Sequence, residues 1–281
     1  MWRTDELQSA MAFYCGMATS ATQAVHAATH NPRVIDTADP ACRVRTQRKI
    51  GHLLASSGMG RDFRYHPRLR PGCGFTEGET VVLTEKWDGT TVQATRDYVA
   101  KRFDNFRSGD RRKHGATERE RYRLERIDLK AKEHKQIALA LAPHRDALRQ
   151  LPEGLCVYFE ACGPKINARF RHLPDSHTIR VFDFAREGHF LSWAETEALA
   201  TRFALPLVHA ECVPALQLAA LLQRLAAPGL RYHGADAALE GWVVRGCGGS
   251  TEAQSVSEGC EGAIAKLRVD DLRKLIHQHD T

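Results

Sequence analysis

Short runs with a period of two dominate the hydrophobic pattern of this chain, interrupted by a few stretches with helical spacing. Thr80–Glu85 is an apolar run that reads as a strand. Thr90–Thr95 and Tyr98–Arg102 alternate and predict a hairpin about Arg96-Asp97. Leu155–Cys162, Thr178–Phe184, Gly241–Arg245 and Ala263–Arg268 read as further strands. Helical spacing predicts other segments. Thr117 and Glu120 form a capping-box pattern, and Leu124, Ile127, Ala131, Ile137 and Leu141 extend it into a long amphipathic helix up to Pro143. Ser192 and Glu195 open a second helix to about Ala204. Pro214 in a first turn opens a third to about Ala227, and Asp270–His277 forms a short terminal one. Helices are not inserted regularly between strands. The expected fold is therefore α+β, with mainly antiparallel sheets and flanking helices.

The pattern is weakest at the beginning. Residues 1–75 read as a poorly defined N-terminal extension, and 76–281 as the core domain. Ser9–His30 is rich in Ala, Ser and Thr, compatible with a short helix, a disordered extension or a transit peptide. Pro and Gly punctuate Tyr65–Gly78 as a loop, and the polar residues 103–116 read as another.

Composition changes this picture little, but the distribution of charge changes it more. The 281 residues are 43% hydrophobic, enough for a substantial core. Lys and Arg number 40 against 34 Asp and Glu, a net charge of +6. Residues 101–135 hold 13 Lys/Arg and 7 Asp/Glu, which equals that whole surplus. This segment is either a solvated, salt-bridged helix or a basic face for polyphosphate or nucleic acid. The eight cysteines show no C-x-x-C pairing or zinc spacing, which fits reduced thiols and a cytoplasmic location. No run of 18 apolar residues is present, so no transmembrane helix is expected and no membrane partner.

Candidate chemistry begins where strand Thr80–Glu85 meets a turn. Lys86 stands between that strand and Asp88-Gly89. A lysine partly desolvated among cations can act as an amine nucleophile. Glu160 interrupts an apolar strand, Asp183 lies between Phe182 and Phe184, and Glu240 precedes Gly-Trp-Val-Val. Lys266 and Arg268 share one strand face, a natural clamp for phosphate. Each carboxylate alone is more simply a solvated strand end; together the residues form a complete nucleotide site.

In order, Glu85-Lys86-x-Asp88-Gly89-Thr90, Ala100-Lys101-Arg102, Glu160-x-x-Gly163-Pro164, Val181-Phe182-Asp183, Glu240-Gly241-x-Val243-Val244 and Lys266-x-Arg268 resemble the motifs of the covalent nucleotidyltransferases. The likeness covers residues from about 75 to 275. Within that superfamily it is greatest to RNA ligases of the phage and kinetoplastid-editing type. Thr91 stands where DNA ligases and capping enzymes place Arg, which favours the RNA ligase branch. The resemblance implies an ATP-grasp-like ligase adenylation domain, without room for a C-terminal OB fold. It further implies ATP and Mg2+ or Mn2+ as cofactors and RNA ends as partners. Lys86 would become adenylylated. Glu85 would lie beside adenine, Arg102 on phosphate and Glu160 on the ribose. Phe182 would stack on adenine, with Phe184, taken to face the same way, as runner-up. Asp183 would support that strand. Glu240 would hold the metal, and Lys266 and Arg268 would neutralise the α-phosphate. An accessory RNA-binding protein or residues 1–75 would grip the RNA. The competing readings are a GTP-dependent capping-type guanylyltransferase and a non-catalytic RNA-binding protein.

Overall fold

A computed structural model describes residues 34–36, 51–57, 64–102, 123–173, 175–246 and 263–277. Among these, β1 is Val34–Asp36, β2 Gly51–His52, β3 Leu54–Ser57, β4 Arg64–Leu69, β5 Val81–Lys86, β6 Thr90–Ala94 and β7 Val99–Arg102. Then come β8 Arg123–Arg126, β9 Leu155–Cys162, β10 Thr178–Arg186, β11 His189–Phe190, β12 Ala210–Val213, β13 Gly241–Gly246 and β14 Ile264–Arg268. The α-helices are α1 Lys135–Leu141, α2 Arg145–Arg149, α3 Trp193–Arg202, α4 Leu218–Ala226 and α5 Val269–His277.

Two sheets carry the fold, as the α+β reading predicted. The larger runs β1-β8-β7-β6-β9-β10-β11 and the smaller β12-β5-β13-β14-β2. All pairings are antiparallel except β14 with β2. A hairpin of β3 and β4 is separate. Alternation on β9 divides the two sides of the larger sheet. Val157, Phe159 and Ala161 join a core with Ile137 and Leu141 of α1, Leu148 of α2 and Ala200 of α3. The opposite residues, including Tyr158 and Cys162, join a second core that holds Leu83, Trp242, Val244, Ala265 and Leu267 of the smaller sheet. Leu221 and Leu225 of α4 and Leu272 and Leu275 of α5 complete it.

The predicted strands are found with small changes at their ends, as is the capping box of Ser192 and Glu195. The long helix over 117–143 is not. Arg123–Arg126 is a strand paired to β1 and β7, and the helix is confined to Lys135–Leu141. Pairing with distant strands outweighs the local i, i+3 spacing of Leu124 and Ile127. Thr117, Glu120 and the loop 103–116 lie outside the described residues. The helix expected from Pro214 starts at Leu218, because the Pro214 carbonyl accepts the Thr80 hydroxyl and the Glu77 carboxylate caps the Leu218 amide. The extension assigned to residues 1–75 includes segments packed in the main core: Leu53, Leu54, Tyr65, Cys73 and Phe75 are buried there, and His52 pairs with Lys266 in the sheet. Cys73, Cys156 and Cys162 are buried and Cys212 exposed, none of the four in a disulfide. Among the described residues no helix is long and apolar enough to cross a membrane.

Candidate active site

The register of the smaller sheet lines up its polar residues. Lys86 stands opposite Gly241, itself opposite Arg268, and Thr84 opposite Val243, itself opposite Lys266. Cross-strand partners share a face. Arg245, on that same face, donates from Nη1 to Asp183 Oδ1 at 3.3 Å and from Nη2 to the Phe182 carbonyl at 3.0 Å. The face therefore looks onto the larger sheet. There Thr91, Glu160 and Arg180 stand opposite one another on β6, β9 and β10. The candidate site is the cleft between these surfaces.

Lys86 Nζ donates to Glu240 Oε2 at 2.6 Å, joining the end of β5 to the start of β13. The sequence led one to expect cations crowding this amine, but its immediate neighbour is a carboxylate. Beyond it, Lys266 is held below its usual pKa, first by burial and then by Arg268 and Lys86. Arg268 is anchored: its Nε and Nη2 donate to Asp271 Oδ1 at 3.3 and 3.0 Å. Burial alone would raise the pKa of Asp271, but hydrogen bonds from His52 and Arg268 bring it down to about 2. His52 Nδ1 lies 2.9 Å from Asp271 Oδ2 and 3.2 Å from the Tyr65 hydroxyl.

Glu160 is different. Thr91 Oγ1 donates to its Oε1 at 2.7 Å, while Oε2 is buried with no partner among the described residues. Burial pushes its pKa up to about 7, against the Thr91 hydrogen bond and the Lys86 charge. A buried acceptor without a donor is costly in the free protein, and an incoming donor relieves that cost.

Other candidates divide. The Glu85 carboxylate is committed to the fold: Trp87 Nε1 donates to Oε2 at 3.1 Å and the His233 amide to Oε1 at 2.6 Å. Arg102 ends β7, and its side chain lies outside the described part. Phe182 is the extra residue of a bulge, since Val181 pairs with Phe159 and Asp183 with Tyr158. The bulge breaks the alternation, so Phe182 and Phe184 do not face the same way. Phe182 joins Tyr158 on the cleft side, and Phe184 the helix-side core. Gly89 brings the Lys86 turn against the larger sheet. A Cβ there would lie 2.4 Å from the Ala161 carbonyl, so glycine lets the turn close onto β9. Among the described residues, no three His, Cys, Asp or Glu converge as a metal-binding group.

Tyr232 is the residue that sequence reasoning missed. Its hydroxyl donates to the Lys86 carbonyl at 3.0 Å and accepts the amides of Asp88 at 3.1 Å and Glu240 at 3.2 Å. Its ring stacks on Trp87, with centroids 4.2 Å apart. Arg180 covers Trp87 at 4.8 Å, and Arg169 pairs with Asp88 at 2.9 Å. At the Arg180 end of the ladder a cavity of about 460 Å³ opens, lined also by Val208, His209 and His233.

A family model described as RNA ligase matches residues 79–271, most of the chain. The chain belongs to the RNA ligase family. The matched span contains every motif residue discussed above, from Glu85 to Arg268. Among solved structures, this family member is similar to a lysine-to-methionine mutant of Naegleria gruberi RNA ligase with AMP and Mn (TM-score 0.50, 14% identity, 82% of this chain and 62% of that one). An archaeal ATP-dependent RNA ligase gives a TM-score of 0.45 at 14% identity, over 82% of this chain and 49% of that one. A putative ATP-dependent DNA ligase from Aquifex aeolicus gives 0.43 at 17%, over 81% and 50%. At that identity the likeness to the Naegleria protein is one of fold. The chain spans between 49% and 62% of these three proteins' length. No curated protein matches it.

Proposed function

We propose that the protein is an ATP-dependent RNA ligase that joins RNA 3′-hydroxyl and 5′-phosphate ends through a lysyl-AMP intermediate. The carrying observation is the pairing of Lys86 Nζ with Glu240, in a cleft whose opposite wall holds Glu160 with an unmatched oxygen. The two walls give a nucleotide its direction. Phosphates lie toward Lys86, Lys266 and Arg268, the ribose at Glu160, and the base toward Arg180 and the adjoining cavity. Phe182, turned to the cleft side by its bulge, is the ring that stacks on adenine. Asp183 holds that strand to the opposite sheet through Arg245. Glu85 contributes backbone, because its carboxylate is already engaged.

In the first step the Lys86 amine attacks the α-phosphorus of ATP. A nitrogen–phosphorus bond forms, the bond to the bridging oxygen of the β-phosphate breaks, and pyrophosphate leaves. The ammonium must shed a proton before attack, and Glu240 Oε2 is its hydrogen-bond acceptor. AMP then passes to the RNA 5′-phosphate, and the 3′-hydroxyl displaces it as the strands join. The chemistry depends mostly on positioning and charge stabilisation. Lys266 and Arg268 supply charge, and Arg268 arrives already oriented by Asp271. Glu240 is the carboxylate that would hold Mg2+ or Mn2+. A single carboxylate fits, because Mg2+ takes its other ligands from phosphate and water. The ion would neutralise phosphate charge. Arg102 and the basic segment 101–135 would meet the phosphates of the RNA.

Incubation with labelled ATP or GTP, followed by nicked RNA or DNA duplexes, tests this reading. Covalent label from ATP and sealing of RNA are expected. Label from GTP alone would indicate a capping-type enzyme, and equal sealing of DNA would remove the RNA preference.

A further inference from the structure

We infer that Tyr232 is the positioning residue that sets Lys86 against Glu240, an inference that rests on the ligase reading of the same cleft. A tyrosine hydroxyl has one donor and two acceptor sites. All three are used here, and all on the backbone of the two catalytic segments: the carbonyl of Lys86 and the amides of Asp88 and Glu240. The ion pair between Lys86 and Glu240 joins flexible side chains. The Tyr232 hydroxyl instead joins the main chain from which they spring.

The surroundings give the tyrosine little freedom. Its ring is buried, stacked on Trp87 and within 6.0 Å of Phe170. Its own segment closes on itself: the Tyr232 amide donates to the Ala237 carbonyl at 3.0 Å and the Leu239 amide to the Leu230 carbonyl, also at 3.0 Å. The next residue, His233, donates its amide to Glu85. The segment from Leu230 to Leu239 is thus a latch that grips the Lys86 turn at two points and leads directly into Glu240. Gly241 completes the junction. A Cβ there would lie 2.1 Å from the Leu267 carbonyl, so the chain after Glu240 runs tight against β14.

Displacing a reacting group by about 1 Å costs on the order of 100-fold in rate. The variant that isolates the hydroxyl is Tyr232→Phe, which keeps the ring stack. Its rate of self-adenylylation should fall about 10- to 100-fold, with KM for ATP within about twofold. Joining of RNA supplied with AMP already on its 5′ end bypasses Lys86 as nucleophile and should fall only about threefold or less. In hydrogen-exchange mass spectrometry, peptides covering Asp88 and Glu240 should lose protection while the centre of β13 keeps it. Equal loss in both reactions would make Tyr232 a general structural residue and overturn the inference. Unchanged self-adenylylation or unchanged protection would overturn it too. If the wild type takes no label from ATP, the ligase reading falls and this inference with it. If the wild type labels and the variant labels equally fast, only the role of Tyr232 falls.

Discussion

The two walls of the cleft are built on opposite plans. On the smaller sheet, Lys86 is paired with Glu240 and Arg268 with Asp271. On the larger sheet, Glu160 has one oxygen satisfied by Thr91 and the other left without a donor. Holding charges in place before a ligand arrives reduces reorganisation during reaction. Leaving a buried acceptor unmatched does the reverse: it stores a need that a ligand hydroxyl meets. In the proposed ligase, one wall would orient the reacting groups, and the other would select and fix the molecule they act on.

If that division is right, variants on the two walls should fail in different ways. The largest effect is expected for Glu240→Gln. It should lower the rate of self-adenylylation by about 100-fold or more, as removal of a group that acts on the transition state does. A comparable rise in KM with an unchanged rate would move Glu240 to the binding wall. Glu160→Gln should instead weaken ATP binding about tenfold, the value of a hydrogen bond to a charged acceptor, with a smaller change in rate.

Glu160 also predicts a pH dependence. Its pKa is raised in the fold from 4.5 to about 7. The folded state therefore binds this proton more tightly than the unfolded chain does. Free-protein stability should fall by about 3 kcal/mol as pH rises from 4.5 to 7, and Glu160→Gln should remove that slope in urea titrations. Affinity for ATP should rise through the same range, because the ionised carboxylate is the better acceptor for ribose hydroxyls. An affinity that falls with pH in wild type would contradict this assignment.

The smallest effects lie behind Arg268. Asp271 is lowered from 3.8 to about 2. It contributes about 2 kcal/mol that is present above pH 3.8 and lost as pH falls toward 2. Asp271→Asn should remove this contribution in unfolding experiments at pH 7. His52→Ala should cost less, about 1 kcal/mol for one hydrogen bond, while raising KM for ATP slightly by loosening Asp271 and so Arg268. No change in either quantity would detach the strand at Gly51–His52 from the site.

Much of this was legible in the sequence, because strands write their pattern locally. Lys266 and Arg268 on β14 and the hairpin of β6 and β7 follow from alternation. The strand that ends at Lys86 reads as an apolar run, and Glu160 stands out as the polar interruption of an otherwise apolar β9. What escaped reading depends on contacts distant in sequence. Arg123–Arg126 is a strand because β1 and β7 flank it. Phe182 and Phe184 part company because a bulge adds one residue. Asp271, which anchors Arg268, is held in turn by His52, and His52 lies against Tyr65, both from a segment that reads as a poorly defined extension. Tyr232 sits in no motif; its importance comes from where its hydroxyl lands, which no periodicity encodes.

The central claim is that Lys86 is the residue that becomes covalently attached to AMP. Peptide mapping by mass spectrometry after incubation with ATP and Mg2+, without RNA, tests it most directly. The account predicts one AMP on Lys86 in the wild type and no covalent AMP on any residue in Lys86→Ala. AMP on a different residue of the wild type, or equal labelling of the Lys86→Ala variant, would contradict it.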